Sequence, residues 1–257
     1  MLSSRSRAIA RTGALILSRD PAPHVVMVVL PLLFTAFLKP AMAAQLAAAG
    51  HPGANGSEQL IPGMAVMFCF LSSQAICMLF FREHYWGTWE RLRVTGAGAG
   101  ELLVGKAAPL FVLMAVQMTL LFVVGTLVFG YRINGSVLAL AALVAGVVLL
   151  VLTFGLMTVA VFRTLDQAMV VGSLVGMLMA GLGGALAPVS SLPSWAQGLA
   201  HVMPTSWAMD GLSDVTLRGA GLADVAGPLA VLVASSAVCA VVAALRFRPS
   251  EEKNGLT

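Results

Sequence analysis

Residues 136–162 read SVLALAALVAGVVLLVLTFGLMTVAVF, a stretch without one charged side chain. A bilayer core about 30 Å thick takes about 20 apolar residues in a helix to cross, so this stretch predicts a membrane-spanning helix. The whole chain has the same character, since 59% of its 257 residues are hydrophobic, 10% are charged and the mean hydropathy is +0.93. Soluble domains carry about a quarter charged residues, and disordered chains are poor in hydrophobic ones. A soluble enzyme and a disordered protein are therefore excluded.

Six such stretches predict an all-α, polytopic membrane protein with six transmembrane helices, formed as a single domain over residues 1–257. The predicted spans are approximately 24–44, 60–81, 107–131, 136–162, 168–187 and 225–245. Cytoplasmic flanks hold an excess of Lys and Arg. All but three of the 15 basic residues lie on the side that carries both ends of the chain, the exceptions being Lys39, Arg132 and Arg218. Both termini are therefore predicted to be cytoplasmic.

The first apolar stretch also resembles a secretory signal, because arginines precede it and Ala41-Met42-Ala43 offers a cleavage site. Cleavage would leave five spans and move the basic tail to the external side. The distribution of basic residues therefore favours six spans and an uncleaved chain. The preference for Arg over Lys, together with the abundance of Ala and Gly, indicates a high-GC bacterium and hence its inner membrane.

The longest charged stretch joins the second and third spans and reads REHYWGTWERLR over residues 82–93. As a helix it places Tyr85, Trp89 and Leu92 on one face and its acidic side chains on the other. Aromatic rings suit the headgroup level of a membrane, while charged side chains face water. We therefore predict an interfacial helix at about 82–95. The alternative is a solvated connector between two spans.

A second unusual segment covers residues 188–224, after the fifth span, and contains several Pro and Trp but few charges. Ser194-x-x-Gln197 matches a capping box and predicts a short amphipathic helix that ends before Pro204. A second short helix is predicted to carry Trp207. Irregular backbone at membrane depth is tolerated only where it is buried in protein or faces water. The segment is therefore expected to form an external cap or a re-entrant pair, and the alternative is a plain interfacial loop.

No stretch of the sequence offers a catalytic centre or a metal site. Residues 100–107 read GELLVGKA, which falls short of a phosphate-binding loop because Ala107 stands where the loop needs Ser or Thr to hold magnesium. The four histidines are dispersed, and the three cysteines lie in apolar runs, where packing is their expected role. The scattered basic residues form no patch for nucleic acid. We expect no catalytic residue, no bound metal or cofactor, and no nucleic-acid partner.

Three polar residues within or beside the apolar stretches are candidates for a translocation path or gate: Lys39, Gln74 and Gln117. Ionisable groups within a membrane are rare and often mark substrate pathways. Lys39 has the alternative of snorkelling to the external interface. The two glutamines have the alternative of hydrogen bonding between helices.

Two motifs resemble those of the permease subunit of type-2 ABC exporters, in the daunorubicin-resistance-like branch. The helix before span three of that family reads roughly R-E-x-x-x-G-T-x-E-x-L, which residues 82–92 match. The residues of this coupling segment are Arg82, Glu83, Gly87, Thr88, Trp89, Glu90 and Arg91. The family's external signature is matched by Pro188, Pro193, Trp195, Pro204, Trp207 and Asp210. An Arg that often follows the Asp is missing, because Leu212 and Ser213 follow Gly211.

The resemblance implies a transporter of several subunits. The coupling segment would dock on a separate cytoplasmic ABC ATPase, present in two copies, which binds ATP and magnesium. Glu83 and Glu90 are expected to contact basic residues of that ATPase. Two permeases, identical or related, would together move hydrophobic drugs, antibiotics or lipids out of the cell, in contact with membrane lipid.

Other functions remain as alternatives. Polysaccharide or glycolipid export within the same superfamily is the alternative substrate class. An ATP-independent channel or carrier, and a scaffold subunit, belong to other classes. A carrier should show inverted repeats or ionisable groups at the membrane midplane, and the sequence supports neither.

Overall fold

A computed structural model describes residues 4–85 and 98–247, and the regular structure of these two ranges is helical. This confirms the all-α prediction. A 3-10 turn covers Val189–Ser191. The ten α-helices of the described ranges are α1 Ser4–Arg19, α2 Ala22–Ala48, α3 Ser57–Ser72, α4 Gln74–Tyr85, α5 Ala99–Phe129, α6 Val137–Val161, α7 Leu165–Leu182, α8 Ser194–Ala200, α9 Pro204–Leu217 and α10 Ala226–Arg246.

The prediction of six transmembrane helices is confirmed. Six helical segments of the described chain are long and apolar enough to cross a membrane. They are Ala22–Ala48, Ser57–Arg82, Gly100–Phe129, Val137–Val161, Leu165–Leu182 and Ala226–Arg246.

The second and fourth spans form the centre of the molecule. Most of their residues are buried, and their aromatic rings meet where Phe70 of α3 stands edge-on to Phe154 of α6, with ring centroids 5.7 Å apart. The other spans each turn an apolar face outward, with exposed side chains such as Phe37, Leu174 and Val238. Exposing such a face to lipid carries no free-energy penalty, because lipid tails are as apolar as the side chains themselves.

Helix α1 precedes the first span and was not predicted, because the N-terminal arginines indicate only a basic flank. It packs against the first part of α5. Ile9 is half-buried there, and the Ser6 hydroxyl donates to the Glu101 carbonyl at 3.4 Å. The apolar residues Ile9, Ile16 and Leu17 recur at helical spacing, which is the signal that indicates this helix.

The second span was predicted as one continuous helix, but it is broken at Ser73. Helix α3 ends at Ser72 and α4 begins at Gln74. The amide of Ile76 donates to the Ser73 carbonyl at 3.0 Å, a contact over three residues that tightens the helix locally. Mid-helix breaks of this kind often mark hinges.

The third span begins earlier than predicted, because α5 starts at Ala99 and has 31 residues. At 1.5 Å per residue it is about 46 Å long, more than the roughly 30 Å of a bilayer core. The stretch at 100–107 that falls short of a phosphate-binding loop therefore lies in helix rather than in a loop. Lys106 is 1% exposed, and its ammonium lies 4.4 Å from the centre of the Phe80 ring.

The external segment forms the two helices predicted for it, α8 and α9. The capping box is wrong, because Pro193 is the N-cap residue of α8 and the Gln197 amide donates to the Leu192 carbonyl at 2.8 Å. Helix α9 begins at Pro204 and has 14 residues, so it is longer than predicted. It packs against α3, α6, α7 and α10, with Met209 and Leu212 buried. The segment is thus inserted among the spans rather than draped over them as a plain loop.

The predicted interfacial helix at 82–95 lies mostly outside the described residues. The chain continues from the second span as helix α4 through Tyr85. Beyond that point the interfacial helix stays a prediction.

Candidate functional site

The clearest polar group inside the helix bundle joins three spans, and we call it the polar bridge. The Ser72 hydroxyl lies 2.6 Å from the Gln117 amide oxygen, and the Gln117 amide nitrogen donates to the Met27 carbonyl at 3.4 Å. Met27 precedes Pro31 by four residues, and Pro31 has no N–H to donate to that carbonyl within α2. Gln117 therefore supplies the missing donor. Because lipid offers no substitute, such a freed carbonyl needs a partner from a neighbouring helix.

Replacing Gln117 by Leu is expected to lower stability by roughly 0.6–1.7 kcal/mol, the range of hydrogen bonds between membrane helices. In a Pro31→Ala background the cost should shrink, because the new amide at position 31 can donate to the Met27 carbonyl. The measurement is the thermal unfolding midpoint, in one detergent, of the wild type, the two single variants and the double variant. Equal costs in both backgrounds would show that Gln117 does not serve the carbonyl freed by Pro31.

Gln74 lies on the other side of the break in the second span and lines what we call the inner cavity, of about 270 Å³. The cavity lies between α2, α4 and the start of α7, and it also takes in the corner between α1 and α2. It brings Gln74 together with Asp20, His24 and Arg82. Sequence reasoning did not group these residues, because no spacing along the chain links the corner after α1 to α4.

A larger void, the lateral cavity, lies between α1, α2 and α5 and has a volume of about 760 Å³. Drug-sized ligands occupy pockets of roughly 300–1,000 Å³ that are mostly apolar with a few polar groups. Gln117 is 5% exposed and lines this cavity, and Arg11 and Ser18 line it from α1. Most of the remaining walls are aliphatic side chains.

Lys39 belongs to α2 and lies away from both cavities, beside the C-terminal end of α5. Its ammonium donates to the Phe129 carbonyl at 2.7 Å, and the Asn55 amide donates to the Gly130 carbonyl at 3.1 Å. Gly130 ends α5 in the left-handed conformation, with φ of 70°. A cation at a helix C-terminus is favourable because the last carbonyls carry negative partial charge. Lys39 thus has a structural partner, and its role in a path stays a prediction.

Replacing Lys39 by Ala is expected to lower stability by roughly 1.5–3 kcal/mol, the usual worth of a hydrogen bond to a charged group. Lys39→Arg keeps a donor and is the matched control. The thermal unfolding midpoints of both variants give the answer, and an unchanged midpoint for Lys39→Ala would contradict the structural role. Unchanged transport of every substrate by Lys39→Ala would dispose of its role in the path.

The structure brings two residues of the external signature, Pro188 and Asp210, to one polar cavity of about 330 Å³, the external cavity. Gln59 closes one wall of it by donating to the Gly184 carbonyl at 2.7 Å. Burial raises the pKa of the Asp210 carboxyl, Asp214 raises it further, and His201 and Arg218 act in the opposite direction.

Arg218 also lines the external cavity and pairs with Asp214, with 2.7 Å between nitrogen and oxygen. An Arg thus borders the cavity although the family's Arg is missing at its usual position in the sequence.

The other signature residues shape the two external helices instead of meeting at one site. Pro193 caps α8, and Pro204 is the first residue of α9. The Trp207 ring nitrogen donates to the His201 carbonyl at 3.1 Å and holds the turn between them. Trp195 is exposed, together with Leu199 and Val202 of the predicted apolar face.

The coupling residues are only partly described. Arg82 lies near the end of α4 and lines the inner cavity, and Glu83 belongs to the same helix. Gly87, Thr88, Trp89, Glu90 and Arg91 lie outside the described residues. Within residues 4–85 and 98–247, His, Cys, Asp and Glu form no group of three that could hold a metal ion.

Six apolar spans, the inserted helices α8 and α9, and polar groups held between the spans define a polytopic membrane protein. The chain belongs to the ABC-2 type transporter family, whose model matches residues 5–217. No solved structure matches it.

Three curated relatives have names that describe drug-resistance or multidrug permeases. The linearmycin resistance permease protein LnrN of Bacillus subtilis is 28% identical over 202 residues, which cover 77% of this chain and 52% of that protein. The probable multidrug permease YbhR of Escherichia coli is 26% identical, over 77% of this chain and 54% of its own. The probable doxorubicin resistance permease DrrC of Mycobacterium tuberculosis is 24% identical, over 90% of this chain and 83% of its own. The chain thus spans about half the length of the first two.

Proposed function

We propose that this chain is the permease subunit of an ATP-driven exporter that moves hydrophobic drugs, antibiotics or lipids out of a bacterial cell. The observation that carries the proposal is membership of the ABC-2 type transporter family over residues 5–217. The names of the relatives, which are resistance and multidrug permeases, support a hydrophobic cargo. The helical state of residues 100–107 supports ATP hydrolysis by a separate subunit, because a phosphate-binding loop cannot be built from a continuous helix.

The complex contains two copies of a cytoplasmic ABC ATPase and two permeases, identical or related. Coupling runs through the segment at 82–93, whose first residues, 82–85, form the end of α4. Helix α4 continues the central second span beyond its break at Ser73. A displacement of the segment by the ATPase would therefore move α4 and be transmitted to the break and to Ser72 of the polar bridge. The inner membrane is the location, and both termini are cytoplasmic, as the excess of basic residues on that side supports.

The inner cavity is the place where the cargo contacts this chain. Its apolar wall includes Met27, Met78 and Leu79, and its polar groups Gln74 and Arg82 suit an amphiphile. Its volume of about 270 Å³ is at the lower end of drug-sized pockets, which start at roughly 300 Å³. The second permease would therefore complete the site.

The experiment is to purify the permease with a candidate ABC ATPase from the same genome and to reconstitute both in liposomes. We expect the proteins to copurify, and hydrophobic drugs to stimulate ATP hydrolysis. Gln74→Trp should raise the drug concentration for half-maximal stimulation, while Gln197→Trp on α8 should not. Stimulation by polysaccharide precursors instead of drugs would assign the alternative cargo. Transport without ATP would overturn the proposal and indicate a channel or carrier.

A further inference from the structure

The lateral cavity has two aliphatic walls, each built as a ridge along one face of a helix. Val25 and Val29 form the ridge on α2, and Val112, Val116 and Leu120 form the ridge on α5. The residues within each ridge are four apart, so they stack along the helix axis. All five are between 44% and 59% exposed. The result is a straight apolar groove that runs along two spans.

One end of this groove is basic. Helix α1 crosses it there with Ala10, Arg11, Ala14 and Ser18, and the sequence of α1 contains arginines but no acidic residue. Arg11 is exposed and has no ion-pair partner within the described part of the chain. Its guanidinium can therefore take a further anionic ligand.

We propose that the lateral cavity binds an anionic phospholipid, with one acyl chain in the groove between α2 and α5 and the phosphate at Arg11. The aliphatic ridges match an acyl chain in shape and polarity. A guanidinium presents paired donors that match phosphate oxygens. The inference goes beyond the proposed function, because this lipid is a resident of the permease and not its cargo.

The position of α1 gives the lipid a structural role. Helix α1 packs on α5, where the Ser6 hydroxyl contacts the Glu101 carbonyl, and it continues into α2 through the short corner at Asp20 and Pro21. A lipid in the groove fills the space between α1 and the first span. It would therefore stabilise the packing of α1 against the membrane domain.

The test is native mass spectrometry of the full-length permease purified in a mixture of equal parts phosphatidylglycerol and phosphatidylcholine. We expect one retained phosphatidylglycerol per chain, preferred about fivefold over phosphatidylcholine, which is the factor that one basic residue near an anionic lipid supplies. Arg11→Gln should abolish this preference. Arg7→Gln removes the same charge from an exposed position on α1 that does not line the cavity, and it should keep the preference.

A second pair of variants tests the groove without touching the charge. Val112→Trp fills the groove and should reduce the retention of any lipid, while Val123→Trp lies on the same helix outside the cavity and should not. Equal effects of Arg11→Gln and Arg7→Gln would assign the preference to the diffuse charge of α1 and overturn the proposal. Displacement of the lipid by drugs at the concentrations that stimulate ATP hydrolysis would also overturn it, because the cavity would then be a cargo site.

Discussion

Replacing Glu83 and Glu90 by Lys together is expected to abolish efflux while ATP hydrolysis by the partner continues. The proposal places both carboxylates against basic residues of the ATPase, so the reversal sets like charges against each other. Losing one partner of a hydrogen-bonded charge pair at an interface costs roughly 2–5 kcal/mol. Since about 1.4 kcal/mol is tenfold in an equilibrium constant, this cost weakens the contact by roughly 30-fold or more, and we expect no efflux above background. The measurement is drug efflux and ATP hydrolysis in the same liposomes.

The matched control is Glu251→Lys with Glu252→Lys, which makes the same charge change in the C-terminal tail. It should leave efflux and its coupling to ATP hydrolysis intact. Wild-type efflux in the Glu83→Lys, Glu90→Lys protein would count decisively against the coupling role of this segment. Equal loss in both double variants would point to net charge instead of a specific contact.

Replacing Gly63 by Ala is expected to be the most destabilising small substitution in the second span. A Cβ on Gly63 would overlap the Ala185 carbonyl oxygen and lie 2.7 Å from the carbonyl carbon. Both atoms belong to the backbone, so no side-chain rotation relieves the overlap, and α3 must move away from the turn after α7. Overpacking costs typically 1–3 kcal/mol, and we expect roughly 3 kcal/mol or more here. One turn earlier, the Gln59 contact with the Gly184 carbonyl would be stretched.

The measurement for Gly63→Ala is the fraction of monodisperse protein after heating in detergent. The control is Gly181→Ala in α7, where a Cβ meets nothing within 4 Å. That substitution should be neutral or stabilise by up to about 1 kcal/mol, since alanine lowers the entropy of the unfolded chain. Similar melting of Gly63→Ala and wild type would show that α3 and the turn after α7 are not packed as described.

The number of spans could be predicted because it depends on local length and composition. A run such as 136–162 is apolar enough to cross a bilayer whatever its neighbours are. The ends of the spans were less predictable, as α5 shows by beginning at Ala99 among polar and small residues. There the Gly98 amide donates to the Glu101 carboxylate at 3.2 Å, and α1 packs against this part of the helix. A composition window registers neither contact.

The existence of helices α8 and α9 could be predicted from the positions of Pro and Trp in the sequence. The capping of α8 and the burial of α9 could not. Ser194-x-x-Gln197 fits a capping box, yet Gln197 turns back to the Leu192 carbonyl. The competing acceptor is provided by the 3-10 turn, which the sequence pattern does not reveal. The burial of α9 among four spans likewise depends on where those spans stand.

By itself the sequence determined that this protein has six spans and that most of its basic residues lie on the side of its two ends. It also showed a resemblance to a permease that depends on a separate ATPase. The first two properties follow from residue composition set against the fixed thickness and polarity of a bilayer. The resemblance depends instead on the motifs at residues 82–92 and 188–210. Only the tertiary structure decided the partners of the polar groups. Gln117 and Met27 are 90 residues apart, and the amide serves a carbonyl that Pro31 leaves without its helical donor. The reason is that a polar group inside a membrane needs a hydrogen-bond partner close to it in space, and the position of a residue along the chain does not specify which group that partner is.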